Sequence, residues 1–229
     1  MAFKPESKPW AVPDFPDTRL PAVTEPRSDG PAAADLPGCQ INGLPSIQAG
    51  RIILVRHGET EANARRCFAE SDEIPLTETG RAQARELALR LAREVRPTVL
   101  VSSWFPRARQ TGEIIGSVLG LKLETIGGIQ ERNFGCLKGR PYEELGNAAH
   151  TWCPAGGESL DDVRGRAFEA IDSLRMRYPG ERVVVVSHGA VIQAVCAHIT
   201  GEWSTAVVPA NCGMVTIRYE AAAGYFLGA

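Results

Sequence analysis

Two short runs of exclusively apolar residues are each followed, after one intervening residue, by a histidine. Ile52–Val55 precedes His57, and Val183–Val186 precedes His188. Uninterrupted runs of Val, Ile and Leu of this length are typical of strands that are buried on both faces of a parallel sheet. Ligands of open α/β sheets bind at the carboxyl ends of the strands. The two histidines are therefore expected at the same edge of one sheet and in one pocket.

Two arginines are expected at the same edge. Arg56 stands between the first apolar run and His57, and Arg107 follows the strand-like run Thr98–Val101 at the start of a helix that begins with Pro106. A phosphoryl group is an oxyanion, and its binding in a water-poor pocket needs cations in fixed geometry. The planar guanidinium fork provides them, so the pair is suited to holding the non-bridging oxygens of a phosphate.

From residue 51 the chain alternates short apolar runs with amphipathic segments, which predicts an α/β fold. The expected architecture is a three-layer α/β/α sandwich with a mostly parallel central sheet and a small cap or loop insertion over the C-terminal edge of its strands. The periodicity predicts four helices and a final hairpin: Glu78–Val95, Pro106–Leu119, Leu160–Tyr178 and Ala190–Thr200, then Met214–Tyr219 with Tyr225–Leu227. Ser159 and Asp162 resemble a capping box at the start of the third helix.

The chain divides into a proline-rich N-terminal extension, residues 1–49, and a domain over residues 50–229. The extension holds nine of the sixteen prolines and shows no sustained periodicity, which excludes a regular helix or central strand there. Its aromatic residues Phe3, Trp10 and Phe15 could anchor it in a groove of the domain or of a neighbouring subunit. The alternative is a solvated tail, and the sequence leaves both open.

Composition excludes several classes of partner. The net charge of −2 and the mixing of acids with bases along the helices give no basic surface for nucleic acid. No signal peptide and no apolar stretch of membrane-spanning length is present, so we expect a cytoplasmic protein without a membrane partner. The six cysteines lack metal-ligand spacing, which predicts reduced thiols and no metal or other cofactor. A homodimer is left open.

Three segments occur in the order found in the histidine phosphatase superfamily, the phosphoglycerate-mutase-like fold: RHGET (Arg56–Thr60), SSWFPRARQT (Ser102–Thr111) and VSHG (Val186–Gly189). The chain resembles this family over about residues 50 to 220. The resemblance implies that His57 is the nucleophile and forms a phosphohistidine. It places the acid/base carboxylate at Glu131. The phosphate-binding set it implies is Arg56, Arg107, His188, Asn63, Thr60 and Gly58, with His188 donating a bond if protonated.

Three other carboxylates in motif regions, Glu59, Glu113 and Glu158, stay open as alternatives to Glu131. Glu158 can also be explained as an acidic residue favoured at the start of a helix. His150 and His198 have no catalytic partner in the sequence. The mouth of the pocket could be lined by residues of the segment 132–159 and by two aromatic residues outside it: Phe134, Lys138, Arg140, Tyr142 and Trp152, with Phe68 and Trp104. Of these we expect Phe134, Lys138, Tyr142 and Trp152 to bind the substrate, although packing of the cap is the simpler explanation for most of them.

The resemblance points to the phosphatase branch of the family, and so to a phosphoric monoester hydrolase of the histidine acid phosphatase type. Its substrate would be a small phosphomonoester. A cofactor-dependent phosphoglycerate mutase is the alternative, but the mutases carry a longer insertion than the segment 132–159 and an asparagine where this chain has Ala190. A non-catalytic phosphate-binding or scaffold protein on the same fold is a further, weaker alternative.

Overall fold

A computed structural model of the chain describes residues 50–146, 148–206, 208–220 and 224–228. The predictions for the extension, residues 1–49, lie outside these residues. The described part contains a six-stranded sheet in the order β3-β2-β4-β1-β5-β6. Its strands are β1 (Gly50–Arg56), β2 (Val99–Ser102), β3 (Leu123–Thr125), β4 (Arg182–Ser187), β5 (Met214–Glu220) and β6 (Gly224–Gly228).

The sheet is mixed. The strands β1 to β4 pair in parallel, whereas β5 pairs antiparallel to β1, and β6 antiparallel to β5. In the register of β1 and β4, Ile52 is the partner of Val183 and Arg56 is the partner of Ser187, so the two strands end at the same level. The residues that follow the two apolar runs therefore emerge side by side at the carboxyl edge of the sheet, as predicted.

Helices cover both faces of the sheet and complete the predicted three-layer architecture. Along the chain they are α1 (Glu61–Ala64), α2 (Glu78–Glu94), α3 (Pro106–Leu119), α4 (Leu160–Arg177) and α5 (Gly189–Thr200). Alternate residues of the strands point to opposite faces. Ile52, Leu54 and their neighbours pack against α4 and α5, and Ile53 and Val55 pack with α2 and α3.

The helix ends follow local capping chemistry. Helix α3 has the predicted bounds because Pro106 opens it and Gly120, at φ 67°, ends it in the left-handed conformation that favours glycine. Helices α2 and α4 end one residue earlier than predicted, since Val95 and Tyr178 act as C-caps. The predicted capping box of Ser159 and Asp162 is present.

The segment between Arg132 and Ser159 lies over the carboxyl edge of the sheet as an irregular cap. It contains two 3-10 helices, Gly135–Leu137 and Tyr142–Leu145, and pairs with the chain after α1 through the isolated bridge between Cys67 and Pro141. Among the described residues, no helix is both long and apolar enough to cross a membrane. The five cysteines in that part of the chain are free thiols.

Candidate active site

A cavity of about 360 Å³ opens at the carboxyl edge of the sheet. Residues from the ends of β1, the start of α3, the loop before the cap, the cap itself and the start of α5 all contribute to its wall. Six of the residues predicted to act in catalysis or phosphate binding line it directly: Arg56, His57, Thr60, Asn63, Arg107 and Glu131. The other two residues of that predicted set, His188 and Gly58, do not occur among the described lining residues. The topology therefore brings together residues that are far apart in the sequence, such as Arg56 and Glu131.

The imidazole of His57 is held in one tautomer. Its Nδ1 lies 2.7 Å from the carbonyl oxygen of Gly58, which can only accept a hydrogen bond, so the ring proton is on Nδ1. The Nε2 atom then carries a free electron pair. Burial, followed by the charge of Arg107, lowers the pKa of His57 well below its ordinary value, and Arg56 adds to this. The ring is thus neutral at physiological pH, with the electron pair of Nε2 unprotonated.

His188 lies beside His57, with 5.2 Å between the ring centroids, and is fully buried. It is the residue that precedes α5, and its Nε2 lies 2.9 Å from Ser103 Oγ. Burial, then the positive charge of Arg107, lowers its pKa well below the ordinary value. In the protein without a bound anion His188 is therefore neutral, whereas the sequence suggested a protonated donor in the anion-bound site.

Within the described residues, the two predicted arginines are held by backbone carbonyls and not by carboxylates. Arg56 Nη1 donates to Pro209 O at 2.8 Å, and its buried Nε has no hydrogen-bond partner within the described residues. Arg107 is 2% exposed and donates from Nη1 to Asp72 O at 3.2 Å, with its guanidinium 5.0 Å from the Phe105 ring centroid. Most of the donor capacity of both forks stays available for an oxyanion.

Glu131 is the carboxylate of the cavity wall. Its Oε1 accepts from the backbone N–H of Arg132 at 2.9 Å and from that of Ala190, in the first turn of α5, at 3.3 Å. Its Oε2 has no hydrogen bond within the described residues. Glu131 therefore has one oxygen fixed and one free to exchange a proton.

The alternative carboxylates are engaged elsewhere. Glu59 accepts from the Thr77 hydroxyl, and Glu113 pairs with Arg109 on the exposed face of α3. Glu158 binds Arg166 through both of its oxygens, each 2.9 Å from a guanidinium nitrogen. Among the described residues that line the cavity, none of these three occurs.

The Glu158–Arg166 pair fixes the loop that carries Glu131. Arg166 Nη1 donates to Gly128 O and Gln130 O, both at 2.8 Å, while Nη2 lies 3.3 Å from Glu131 O. This arginine is a residue that sequence reasoning missed. The signal available was weak, because an arginine in the second turn of a helix is most often a solvated charge.

Thr60 and Asn63 form a capping box at the start of α1. Asn211 Nδ2 donates to Asn63 Oδ1 at 3.0 Å and to His57 O at 3.0 Å. On its other side Asn63 donates to the Tyr142 hydroxyl in the cap. Asn211, which the sequence did not reveal, thus ties the His57 backbone to the capping box of α1.

Gly58 is absent from the cavity wall as the described residues define it. A Cβ at this position would lie 2.5 Å from Gly80 O, and a Cβ at Gly80 would collide with the Glu59 backbone. These two glycines therefore allow the start of α2 to pack directly on the loop after His57. The close backbone approach at Gly58 is thus made to Gly80.

The predicted substrate residues divide into two groups. Phe134 and Tyr142 line the cavity together with Phe68, whose ring centroid is 4.2 Å from that of Phe134. Lys138 and Trp152 do not occur among the described lining residues. Lys138, in the cap, has its Nζ 3.7 Å from Oδ1 of Asp72, in the segment between α1 and α2. The residues of the wall that sequence reasoning did not select are Ala69, Arg132, Leu145, Leu160, Gly189, Ala190, Gln193 and Val208.

The mouth residue Trp104 is 53% exposed and is likewise outside that described lining set. Over the part of the chain that the structure describes, no group of three or more His, Cys, Asp or Glu side chains could hold a metal ion.

Comparison with known proteins agrees with this geometry. The family model described as histidine phosphatase superfamily (branch 1) matches residues 52–227. The chain is 34% identical over 161 residues to phosphoglycerate mutase-like protein 4 of Arabidopsis thaliana, covering 65% of this chain and 70% of that protein. It is 33% identical over 162 residues to metal-independent phosphoserine phosphatase of the same plant, covering 65% and 68%.

A solved structure shows the same fold. Mycobacterial glucosyl-3-phosphoglycerate phosphatase in complex with VO3 superimposes with a TM-score of 0.72 at 25% identity, covering 79% of this chain and 98% of that one. The match of the family model spans most of the chain, including both histidine segments. The chain therefore belongs to the histidine phosphatase superfamily, branch 1.

Proposed function

We propose that the protein is a metal-independent phosphomonoesterase of the histidine acid phosphatase type that hydrolyses a small phosphorylated metabolite through a phosphohistidine on His57. The observation that carries the proposal is the tautomer of His57. The Gly58 carbonyl holds the proton on Nδ1, so Nε2 is unprotonated in a cavity that Arg56 and Arg107 also line. The phosphatases among the relatives support the same reaction class.

In the first step the electron pair of His57 Nε2 forms a bond to phosphorus as the bond between phosphorus and the ester oxygen breaks. The leaving oxygen takes a proton from Glu131, and the product alcohol departs. Arg56 and Arg107 bind the non-bridging oxygens, and a donated bond from His188 adds to them. These donors are in place before charge redistributes in the transition state.

In the second step water attacks the phosphohistidine. Its proton passes to the Glu131 carboxylate, the bond between phosphorus and Nε2 breaks, and inorganic phosphate leaves. Glu131 regains the proton it gave up and His57 returns to its neutral form. One carboxylate with a free oxygen thus serves as acid in the first half-reaction and as base in the second.

Rapid-quench measurements with labelled p-nitrophenyl phosphate test this assignment. We expect release of inorganic phosphate and a transient phosphoenzyme that is stable to base, labile to acid and located on His57. His57→Ala should abolish both turnover and label. The exposed Arg90→Gln variant on α2 is the matched control and should behave like the parent. Label on another residue, or near-normal turnover of His57→Ala, would refute the nucleophile.

A further inference from the structure

Three arginines lie side by side at the end of the sheet that is opposite to the active site. In the strand register, Arg51 of β1 is the direct partner of Arg182 of β4 and of Arg218 of β5. Direct partners on neighbouring strands point to the same face of a sheet, with their Cβ atoms about 4.5 to 5.5 Å apart. The three side chains therefore form one row across three adjacent strands, which we call the arginine row.

The arginine row lacks neutralising partners. All three side chains are exposed, and within the described residues none of them takes part in an ion pair. Arg182 donates from Nε to Arg96 O at 2.7 Å, whereas the side chains of Arg51 and Arg218 make no hydrogen bond in that part of the chain. Like charges directly opposite each other destabilise a sheet. An anion bound across the row would relieve this repulsion.

The acidic residues beside the row do not neutralise it. Glu220 lies two positions after Arg218 on β5 and therefore on the same face, but within the described residues no ion pair joins it to the row. Glu181 immediately precedes Arg182, so the alternation of side chains places it on the opposite face. Three guanidiniums and the single carboxylate of Glu220 leave two unmatched positive charges at this place.

A cavity of about 270 Å³ adjoins the arginine row. The described residues of its wall lie at the start of β1 and at the end of β5: Gly50, Arg51, Arg218, Tyr219 and Glu220. Arg51 and Arg56 stand at the two ends of β1, and at about 3.3 Å per residue their Cα atoms are roughly 16 Å apart. This cavity is therefore distinct from that of the active site. Its volume is near the lower end of the range for small-ligand pockets.

The spacing of the guanidiniums indicates the kind of anion that fits them. Adjacent strands are about 4.8 Å apart, so the row spans roughly 10 Å from Arg182 to Arg218. Each guanidinium fork can bind phosphoryl oxygens in bidentate geometry. A single phosphate or a carboxylate reaches one or two of the forks, whereas a linear chain of phosphoryl groups carries negative charge along the whole row. Phe226, the direct partner of Arg218 on β6, adds a half-buried aromatic ring beside it.

We propose that the arginine row is a binding site for an oligophosphate, a linear chain of three or more phosphoryl groups. Inorganic tripolyphosphate and the phosphate tail of a nucleoside triphosphate both have this chemistry. The basis is the register of three arginines without ion pairs in the described residues, together with the cavity beside two of them. The site lies outside the active-site cavity and is independent of the phosphatase reaction. The net charge of −2 for the whole chain conceals this local concentration of positive charge.

Titration calorimetry with inorganic phosphate, pyrophosphate and tripolyphosphate tests the site. The full-length His57→Ala chain is the host for all ligands, so that turnover at the active site does not contribute heat. At the row we expect tripolyphosphate to bind at least about tenfold more tightly than phosphate, since it meets more of the forks. Binding should weaken as the salt concentration rises to about 0.15 M, because exposed charges are screened.

Variants assign the binding to the row. Arg51→Gln together with Arg218→Gln should raise the Kd for tripolyphosphate at this site roughly 10- to 100-fold, the effect of two charge-assisted contacts discounted for solvent exposure. Binding at the active site is the same in the host and in the variant. Arg85→Gln removes an exposed arginine of α2 that has no ion pair in the described residues, and as the matched control it should keep the Kd within about twofold.

The outcomes separate the possible ligands. ATP that binds the row at least as tightly as tripolyphosphate indicates a nucleotide, and weaker binding of ATP indicates an inorganic chain. A tripolyphosphate titration that is identical in the host and in the double variant would overturn the site. Equal affinity of the row for phosphate and tripolyphosphate would overturn the choice of an oligophosphate. Binding of heparin without binding of tripolyphosphate would overturn the small ligand and indicate a surface for a macromolecular polyanion.

Discussion

The hydroxyl oxygen of Ser103 lies 2.9 Å from Nε2 of His188 and is the hydrogen-bond partner of that ring within the described residues. Ser103 Oγ already accepts from Phe105 N–H at 3.2 Å, and within the described residues its own proton has no other acceptor. We expect the hydroxyl to donate to Nε2, because this contact gives its proton an acceptor, and the ring proton of the neutral His188 is then on Nδ1. That atom is buried and has no partner in the described part of the chain. A neutral His188 thus keeps an unpartnered N–H on Nδ1, although the residue does not occur among the described lining residues of the cavity.

Loss of the Ser103 hydroxyl should lower kcat/KM and allow both neutral tautomers of His188. We expect Ser103→Ala to lower kcat/KM by about 5- to 15-fold, the equivalent of one buried hydrogen bond. ¹⁵N NMR should show a mixture of His188 tautomers, a change that mere loss of packing would not produce. Ser103→Thr should restore the single tautomer.

The neighbouring Ser102→Ala provides the control for that experiment. Its hydroxyl is buried without a hydrogen-bond partner in the described residues, so its removal should leave kcat/KM unchanged and stability equal or slightly higher. A His188 spectrum that is identical in Ser103→Ala and in the parent would contradict the assigned tautomer.

Replacement of Glu131 should affect substrates according to their leaving group. Glu131→Gln removes the proton donor, so alkyl phosphates should lose about 10²- to 10⁴-fold in the phosphorylation step, the usual range for general acid catalysis. A phenolate leaves with little protonation, and phosphohistidine should still form from p-nitrophenyl phosphate. Glu113→Gln, an exposed carboxylate of α3, is the control. An equal loss for aryl and alkyl phosphates in quench-flow would remove Glu131 from the acid role.

Hydrolase and mutase activities differ in the fate of the phosphoenzyme. A mutase needs a phosphohistidine that resists water and usually a bisphosphorylated primer, whereas a hydrolase needs neither. Ala190 stands where the mutases have an asparagine, and its backbone N–H donates to the Glu131 carboxylate. The cap, residues 132–159, is also shorter than the insertion of the mutases. We expect phosphate release without primer from simple phosphomonoesters. Efficient primer-dependent interconversion of 3- and 2-phosphoglycerate would instead identify a mutase.

Chelation should leave the activity intact. Arg56, Arg107 and the hydrogen-bond donors of the cavity supply the positive potential that other phosphatases obtain from metal ions. We expect the same kcat/KM in 5 to 10 mM EDTA, about the usual chelating range, as in untreated enzyme. Activity that disappears with EDTA and returns with Mg²⁺, Mn²⁺ or Zn²⁺ would contradict the metal-free reaction.

Local chemistry accounts for the parts of this fold that the sequence predicts well. The bounds of α3 follow from Pro106 and Gly120, and the convergence of His57 and His188 follows from two apolar runs in parallel register. Each of these signals lies within a few residues of the feature that it determines. Patterns of this kind are visible without knowledge of the tertiary structure.

The cap and the supporting polar contacts depend on long-range contacts instead. Gly135, Gly139 and Gly146 have positive φ angles, and the segment folds without helical or strand periodicity. Asn211 meets His57 across 154 positions, and Arg166 reaches the Glu131 loop from a different layer of the fold. No local pattern encodes such contacts, and for that reason Arg132 and Arg166 were missed and Lys138 was expected in the cavity wall.

The two buried histidines should make the folded state sensitive to acid. Burial and Arg107 lower the pKa of both His57 and His188 well below 6.5, the value expected for the unfolded chain. Between the folded-state and the unfolded-state pKa the unfolded state binds more protons than the folded state. The contribution of the histidines to the free energy of unfolding is therefore fully present above pH 6.5 and is lost as the pH falls toward the folded-state pKa. Each histidine should contribute a loss of about 1.4 kcal/mol per pH unit within that window.

Urea denaturation at pH 7.5 and at pH 5.5 measures this loss. His57→Asn should show a smaller decrease in the free energy of unfolding than the parent, by about 1 kcal/mol, because one of the two buried titrating groups is absent. His150→Asn, at a cap position whose side chain is 43% exposed, should keep the decrease of the parent, since both buried histidines remain. Carboxylates such as Asp172, whose pKa is lowered by its bond to Arg175, lose their contribution only at lower pH. An unfolding free energy that is the same at both pH values would show that His57 and His188 do not remain neutral in the folded protein.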